Sequence, residues 1–277
     1  NFTVFKETVA GVNPDIVFNM VEHHMGQDRL AAVAPAYYEK IGIPYTGAGV
    51  ASIVSTGDKP FSKQLMRSAG LPTPDWSEGP LWKNLEPDQR YIVKSSDEDA
   101  SLGLDDGAVQ NGSGVVARAE DAFKRFGGGR WFAEVFVEGR EFNISVIEVQ
   151  GELRVLPLAE IVFNDWNPDK PRIVGYNAKW REESEEFKQT ERVFGMESED
   201  PALAAELQRL SLETFQLFGA RGFARVDFRV DENNQPLILE VNPNPALDWD
   251  AGFAQAALRA GISYPDILQI IVDAARP

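Results

Sequence analysis

A chain of 277 residues has room for about two compact units, and 43% hydrophobic with 25% charged residues exclude a largely disordered polymer. Its 27 lysines and arginines against 43 acids leave a formal charge of −16, which excludes a general nucleic-acid or anionic-membrane binder but not a small phosphorylated ligand held by a few lysines. The absence of cysteine excludes disulfides, thiolate catalysis, zinc ribbons and iron–sulfur clusters.

The first residues, Asn1 to Glu7, lack the plan of a signal peptide, and no apolar run reaches the roughly 18–20 residues of a membrane span. A cytoplasmic protein is expected. Asp15 to Asn19 reads as a short strand, Leu30 to Ile41 as a helix stopped by Gly42, and Ile43 to Gly49 as a strand entering a glycine turn. That order suggests a partial N-terminal α/β domain over 1–57, lacking earlier strands. Asp58 caps a helix over Lys59 to Ala69 that Gly70 closes, and Leu71-Pro72-Thr73-Pro74 is extended. Strands at Tyr91 to Lys94, Gly114 to Ala117 and Trp131 to Val137, with a helix over Ala119 to Phe126, define a small α+β lobe over 58–138. Arg140 to Val149 alternates as a strand of a second sheet, the start of a C-terminal lobe over 139–277. Residues 163–186 read as a long functional loop, and Pro201 to Phe218 as a strongly periodic helix. The fold class is α/β (α+β).

Arg225 to Val230, the turn residues Asp231 to Gln235, and Pro236 to Val241 read as a hairpin. A turn centred between Asn233 and Asn234 sets Asp227 opposite Glu240 and Arg225 opposite Asn242, all on one face. Two opposed carboxylates repel, and a divalent cation between them removes the penalty. Oxygen ligands from Asp227, Glu240 and Asn242 suit Mg²⁺, commonly held by one or two carboxylates plus substrate phosphates. The alternative is a solvated charged face, and an odd-length loop breaks the geometry. Asn242-Pro243-Asn244-Pro245-Ala246 then ends the strand and holds side-chain amides at its tip.

From about Pro14 onward the chain resembles the ATP-grasp superfamily, within it the D-alanine–D-alanine ligase-like group. The resemblance rests on ordered motifs: Pro14 to Asn19 with Gly42 to Gly47, Asp58-Lys59 followed by Lys63, Ile92-Val93-Lys94, Gly139-Arg140-Glu141-Phe142, Gly222 to Asp227, and Leu239-Glu240-Val241-Asn242. It implies an ATP-grasp fold with ATP between the small lobe and the C-terminal sheet. The implied reaction is phosphorylation of a carboxylate to an acyl phosphate, then attack by an amine. Under that resemblance Lys59 and Lys94 meet phosphate oxygens, and Ser101 closes the phosphate loop. Glu134 to Val137, including Phe136, form the adenine hinge, with Glu134 reading the adenine edge, and Glu141 accepts from the ribose. Asp227, Glu240 and Asn242 hold one or two Mg²⁺ ions, with Mn²⁺ a possible substitute. Arg225 stabilises the oxyanion and Lys179 closes over the γ-phosphate. The implied partners are amino-acid or dipeptide substrates, with no nucleic acid and no membrane; a homodimer is left open.

The chain also departs from the family pattern. Its phosphate loop, Ser95 to Ser101, is acidic; a serine and a tyrosine of the dipeptide-forming ligases become Ala100 and Trp180; and the closing motif is Asn-Pro-Asn-Pro-Ala rather than the asparagine-threonine, proline-glycine form. Ligase chemistry is therefore implied and D-alanine as substrate is not. Glu22, Trp180 and Asn244, with the loop from Asn19 to Asp28, are candidates for substrate contact. A non-catalytic or regulatory nucleotide-binding relative is the alternative. Gly47-Ala48-Gly49 lacks the third glycine of a dinucleotide fingerprint and reads as a turn, leaving a nicotinamide oxidoreductase as the distant third. His23-His24 has no third metal ligand at a suitable spacing and reads as loop surface.

Overall fold

The computed structural model describes residues 2–23, 27–98 and 101–275. His24, Asp99 and Ala100 lie outside them. Helices α1 (Phe2–Val12), α2 (Val33–Ile41) and α3 (Val50–Thr56) gather around one parallel bridge between Val17 and Tyr45. The two early strands expected from sequence shrink to that bridge, because Pro44 has no N–H to extend a ladder. Helix α4 (Lys59–Ser68) starts as expected: the Asp58 carboxylate accepts from the Phe61 N–H, and Pro60 occupies its first turn.

Strands β1 (Trp76–Glu78), β2 (Arg90–Ser95), β3 (Val109–Asn111) and β4 (Trp131–Val135) form an antiparallel sheet ordered β1-β4-β2-β3. The strand expected over 114–117 is instead the start of α5 (Val115–Arg125). Val115, Ala119 and Ala122 share one helical face and pack on Tyr91, Val93, Trp131 and Ala133, so burial at helical spacing overrides the β-branched pair Val115-Val116.

The second sheet contains β5 (Arg140–Val149), β6 (Glu152–Val155), β7 (Ala159–Phe163), β8 (Thr190–Phe194), β9 (Phe223–Val230) and β10 (Pro236–Asn242). Its order is β10-β9-β5-β7-β8, with β6 on β5, and every pair is antiparallel. The loop expected over 163–186 contains one short helix, α6 (Tyr176–Trp180), and the start of a second, α7 (Glu185–Gln189). Helices α8 (Met196–Glu199) and α9 (Pro201–Leu217) follow β8, and α10 (Gly252–Arg259) and α11 (Tyr264–Ala274) end the fold.

Strand alternation divides this sheet. Phe142, Ile144, Val226 and Phe228 point to one side and pack on Leu203, Leu207 and Leu210 of α9. Truncating one such buried leucine to alanine costs about 2–5 kcal/mol. On the opposite side, Ile147 and Phe223 are covered by Phe253, Ile267 and Ile271 of α10 and α11. Val149 joins that cluster, and the other positions of that face in β5 and β9 are Glu141, Asn143, Ser145, Arg225, Asp227 and Arg229, a polar row. No helix of the described residues is long and apolar enough to cross a membrane.

Candidate active site

That polar row is one wall of a cleft of about 860 Å³, and the four-stranded sheet supplies the other. All of the site residues singled out in the sequence line it: Lys59, Lys94, Ser101, Glu134, Phe136, Val137, Glu141, Lys179, Arg225, Asp227, Glu240 and Asn242, together with Glu22, Trp180 and Asn244. Lys179 projects from α6 rather than from an open loop.

The hairpin sets Asp227 opposite Glu240 and Arg225 opposite Asn242, but not by the expected turn. Near the turn Val230 pairs with Pro236 and Phe228 with Ile238, a register one residue off, and an irregularity between Ile238 and Glu240 shifts the pairing. The odd-length loop is thus compensated by a bulge at Leu239, the kind of insertion that re-aims side chains beside active sites.

The Asp227 carboxylate is densely bonded. Arg225 donates to it through Nε at 2.7 Å and Nη2 at 2.8 Å, Asn143 through Nδ2 at 2.9 Å, and Asn242 through Nδ2 at 3.1 Å. Asn143 was not singled out in the sequence; its signal is the alternation that puts it on the face of Glu141. Glu240 differs. Burial would raise its pKa, but Lys59, Lys179, Lys94 and Arg225 outweigh that and hold it at about 2. No described residue forms a hydrogen bond or ion pair with it. Among the described residues no three His, Cys, Asp or Glu side chains cluster as metal ligands, so the donor set is two carboxylates and an amide. Because Asn242 spends its N–H on Asp227, its amide oxygen is the end left for a cation. Such hard oxygens fit Mg²⁺, which takes its other ligands from water and phosphate.

Glu134 does not offer a free carboxylate to a ligand. Its side chain is 1% exposed and lies 2.6 Å from the Lys63 Nζ, with Lys94 bonded to its other oxygen. Desolvation would raise its pKa, yet the two lysines pull it below the ordinary carboxylate value. Burial drives the fully buried Lys63 down in turn. Lys63 also donates to Thr73 Oγ1 at 2.8 Å, and Thr73 donates to the Ile238 carbonyl at 2.8 Å. This chain ties the small sheet to β10 one residue before the bulge. In the hinge, the Val135 and Phe136 N–H groups already donate to the carbonyls of Asp75 and Arg90.

Other side chains are also engaged. Arg229 Nη2 donates to Glu141 Oε2 at 2.7 Å. Lys59 Nζ donates to the Glu98 carbonyl at 2.9 Å, and Asp97 accepts from Arg130, which also grips Asp58 at 2.6 Å. Ser101 Oγ donates to the Val174 carbonyl at 3.2 Å. Asn244 Oδ1 accepts from the Ala48 N–H at 2.9 Å. A Cβ on Gly47, whose φ is +82°, would meet that oxygen at 2.3 Å; the glycine is required by this close approach, not by a dinucleotide. Asn244 therefore braces the Gly47 turn onto the cleft, while Glu22 and Trp180 stand exposed at its wall.

The architecture is that of the ATP-grasp fold. D-alanine–D-alanine ligase from Bacillus anthracis, complexed with ATP, is similar with a TM-score of 0.73 at 22% identity, over 98% of this chain and 82% of that one. The ligase from Coxiella burnetii gives 0.69 at 21% identity, over 94% and 68%. In sequence, the family model "D-ala D-ala ligase C-terminus" matches residues 65–273. D-alanine–D-alanine ligase of Aquifex aeolicus is 30% identical over 266 residues, 94% of this chain and 82% of that protein. The uncharacterized protein y4sG of Sinorhizobium fredii is 32% identical over 268 residues, 94% and 74% of the two chains. This chain belongs to the D-alanine–D-alanine ligase family of ATP-grasp ligases.

Proposed function

We propose that the protein is an ATP- and Mg²⁺-dependent carboxylate–amine ligase that joins small amino-acid-like substrates through an acyl phosphate. The supporting observation is Glu240, held ionised by surrounding cations without a direct partner, opposite Asp227 in an ATP-grasp cleft. Nucleotide lies between the lobes 58–138 and 139–277. Lys59, Lys94 and Lys179 meet its phosphates as compact charges, with Ser101 on the adjoining loop. Because Glu134 is consumed by lysines, the adenine edge is left to Val137 and the hinge carbonyls, beside Phe136. Glu141, oriented by Arg229, accepts from the ribose hydroxyls.

Asp227, Glu240 and the Asn242 amide oxygen would hold Mg²⁺, or Mn²⁺ in its place, which supplies positive charge against the phosphoryl oxygens. In the reaction a carboxylate oxygen of the first substrate bonds to the γ-phosphorus as the bond to ADP breaks. The amine nitrogen of the second substrate then attacks the acyl carbon, loses a proton, and displaces inorganic phosphate to leave an amide. Arg225 donates N–H bonds to the oxyanion formed in that attack, sharing its guanidinium with Asp227. Glu22 and Trp180 border the acceptor end, which Asn244 braces. The D-alanine named for the relatives is not carried over, since Trp180 departs from their pattern. Dependence on ATP fits a cytoplasmic protein.

The test is ADP release with Mg²⁺ across D- and L-amino acids and dipeptides. A pair that stimulates release supports the ligase; no stimulation by any pair, with nucleotide bound, overturns it. That second outcome marks the alternative, a nucleotide binder without turnover, which the grip of Arg225 on both oxygens of Asp227 favours.

A further inference from the structure

A second cavity, of about 450 Å³, lies behind the wall of the cleft. Leu102, Leu104, Ile173 and Ala178 line both, so the two spaces share that wall. Its two segments are tied to each other. Ser101 Oγ donates to the Val174 carbonyl at 3.2 Å, and the Tyr176 N–H donates to the Leu104 carbonyl at 3.1 Å. A Cβ on Gly175 would meet that Leu104 oxygen at 2.5 Å, so the segments touch backbone to backbone. Lys170, 3.1 Å from Asp106 and 2.8 Å from Glu186, adds an ionic tie.

The cavity is of a size that takes a small molecule, and its lining defines the class. Phe126 at the end of α5, Trp166 in the loop after β7 and Tyr176 of α6 bring three aromatic residues to it, and Tyr176 is 49% exposed. Such rings receive another ring edge-on or offset. The lining charges pair with one another, with one exception. Asp105 takes Arg118 at 2.9 Å and Arg125 at 3.2 Å, and Asp106 and Glu186 share Lys170. The exception is Arg181, which is exposed and whose guanidinium has no hydrogen bond or ion pair among the described residues. A planar guanidinium with free N–H groups matches the two oxygens of a carboxylate.

We propose that this cavity binds a small aromatic carboxylate, its ring among Phe126, Trp166 and Tyr176 and its acid group on Arg181, and that the bound acid strengthens nucleotide binding in the cleft. The acid touches both tied segments, so it binds best where residues 101–106 and 173–186 are together. Nucleotide needs the same arrangement, because Ser101 stands on one segment and Lys179 on the other. Two ligands that favour one arrangement favour each other, by the same factor in both directions. The coupling rests on the ATP-binding reading of the cleft; the acid site rests on the cavity and Arg181.

The test is calorimetry on the full chain, titrating 3-phenylpropionate and 3-indolepropionate beside their amides, with and without ADP and Mg²⁺. At least one acid is expected to bind with a Kd below about 1 mM and about threefold or more tighter than its amide, the modest factor an exposed guanidinium supplies. Saturating ADP should tighten that acid about threefold or more, and the acid should tighten ADP by the same factor. Arg181→Gln should bring the acid-to-amide ratio to about one while ADP affinity without acid stays within about twofold, and Arg181→Lys should restore part of the ratio. Tyr176→Ala removes a ring and should weaken acid and amide alike, by about fivefold or more. The proposal is overturned if neither acid binds, if acid and amide bind equally, or if the preference survives in Arg181→Gln with native circular dichroism. It is overturned as well if ADP leaves the acid's affinity unchanged or displaces the acid, which would put the acid in the cleft. Acid binding without any ADP binding sinks the nucleotide reading and keeps the acid site, whereas ADP binding without acid binding does the reverse.

Discussion

Glu134 and Glu240 are both carboxylates drawn out of water among lysines, and Lys94 acts on each, yet the two regions are built for different ends. Around Glu134 the cations are in contact: Lys63 and Lys94 each form an ion pair with one oxygen, and Thr73 passes the connection on to Ile238. Around Glu240 the cations act through space, lowering its pKa without bonding to it. Direct pairing fixes two sheets relative to one another. Charge held at a distance keeps the carboxylate ionised and its lone pairs available, which is the condition for receiving a metal with its phosphate.

The largest expected effect comes from breaking the paired region. Glu134→Ala leaves Lys63 fully buried without its anion, a change that costs about 3–5 kcal/mol. Thermal unfolding should show a fall in Tm of roughly 10 °C. The double change Lys63→Met, Glu134→Leu should recover most of it, since removing a buried pair is cheaper than breaking one; a double variant as weak as the single would refute the pairing. Breaking the second region should act on chemistry. Glu240→Gln should keep the fold and lower ADP release by at least about 100-fold, the scale of one preorganised electrostatic contact. Its pH signature has a definite sign. The folded pKa of about 2 lies below the ordinary 4.5, so ionised Glu240 stabilises the fold above pH 4.5, and that contribution is lost as pH falls from 4.5 toward 2. Urea unfolding across that window should give a shallower loss for Glu240→Gln than for the wild type.

The difference between the regions also explains what could be read in advance. Asp227, Glu240 and Asn242 share a local hairpin, so strand alternation and pairing place them together from sequence. Even there the agreement depended on a bulge at Leu239 cancelling the odd turn, which no local pattern announces. The place of Glu134 beside the hinge follows from its neighbours; that its carboxylate meets Lys63 of α4 is a tertiary fact with no periodic trace. Arg192, which also lines the cleft, is harder still, since its place there follows only from the strand order β9-β5-β7-β8. Gly114 to Ala117 fits a strand or a helix equally by local pattern, and of its apolar residues only Val115 joins the helix face that the sheet beneath defines, Val116 and Ala117 being exposed.

Two smaller changes sharpen the contrast. Thr73→Val removes the hydroxyl between Lys63 and the Ile238 carbonyl and should cost about 1–2 kcal/mol in urea unfolding, less than losing the carboxylate because Lys63 keeps Glu134.

Asp97→Asn should do least. The acidic phosphate loop opposes a triphosphate only if its charges face the cleft, and Asp97 instead faces Arg130, whose side chain is half exposed. With Arg130 half exposed and Asp97 only 15% exposed, the pair contributes about 1 kcal/mol. Its loss should therefore leave stability nearly unchanged and ADP affinity within about twofold, measured by calorimetry. A rise in affinity of about tenfold would mean that the Asp97 charge reaches the phosphates, and that the cations around Glu240 work against it as well.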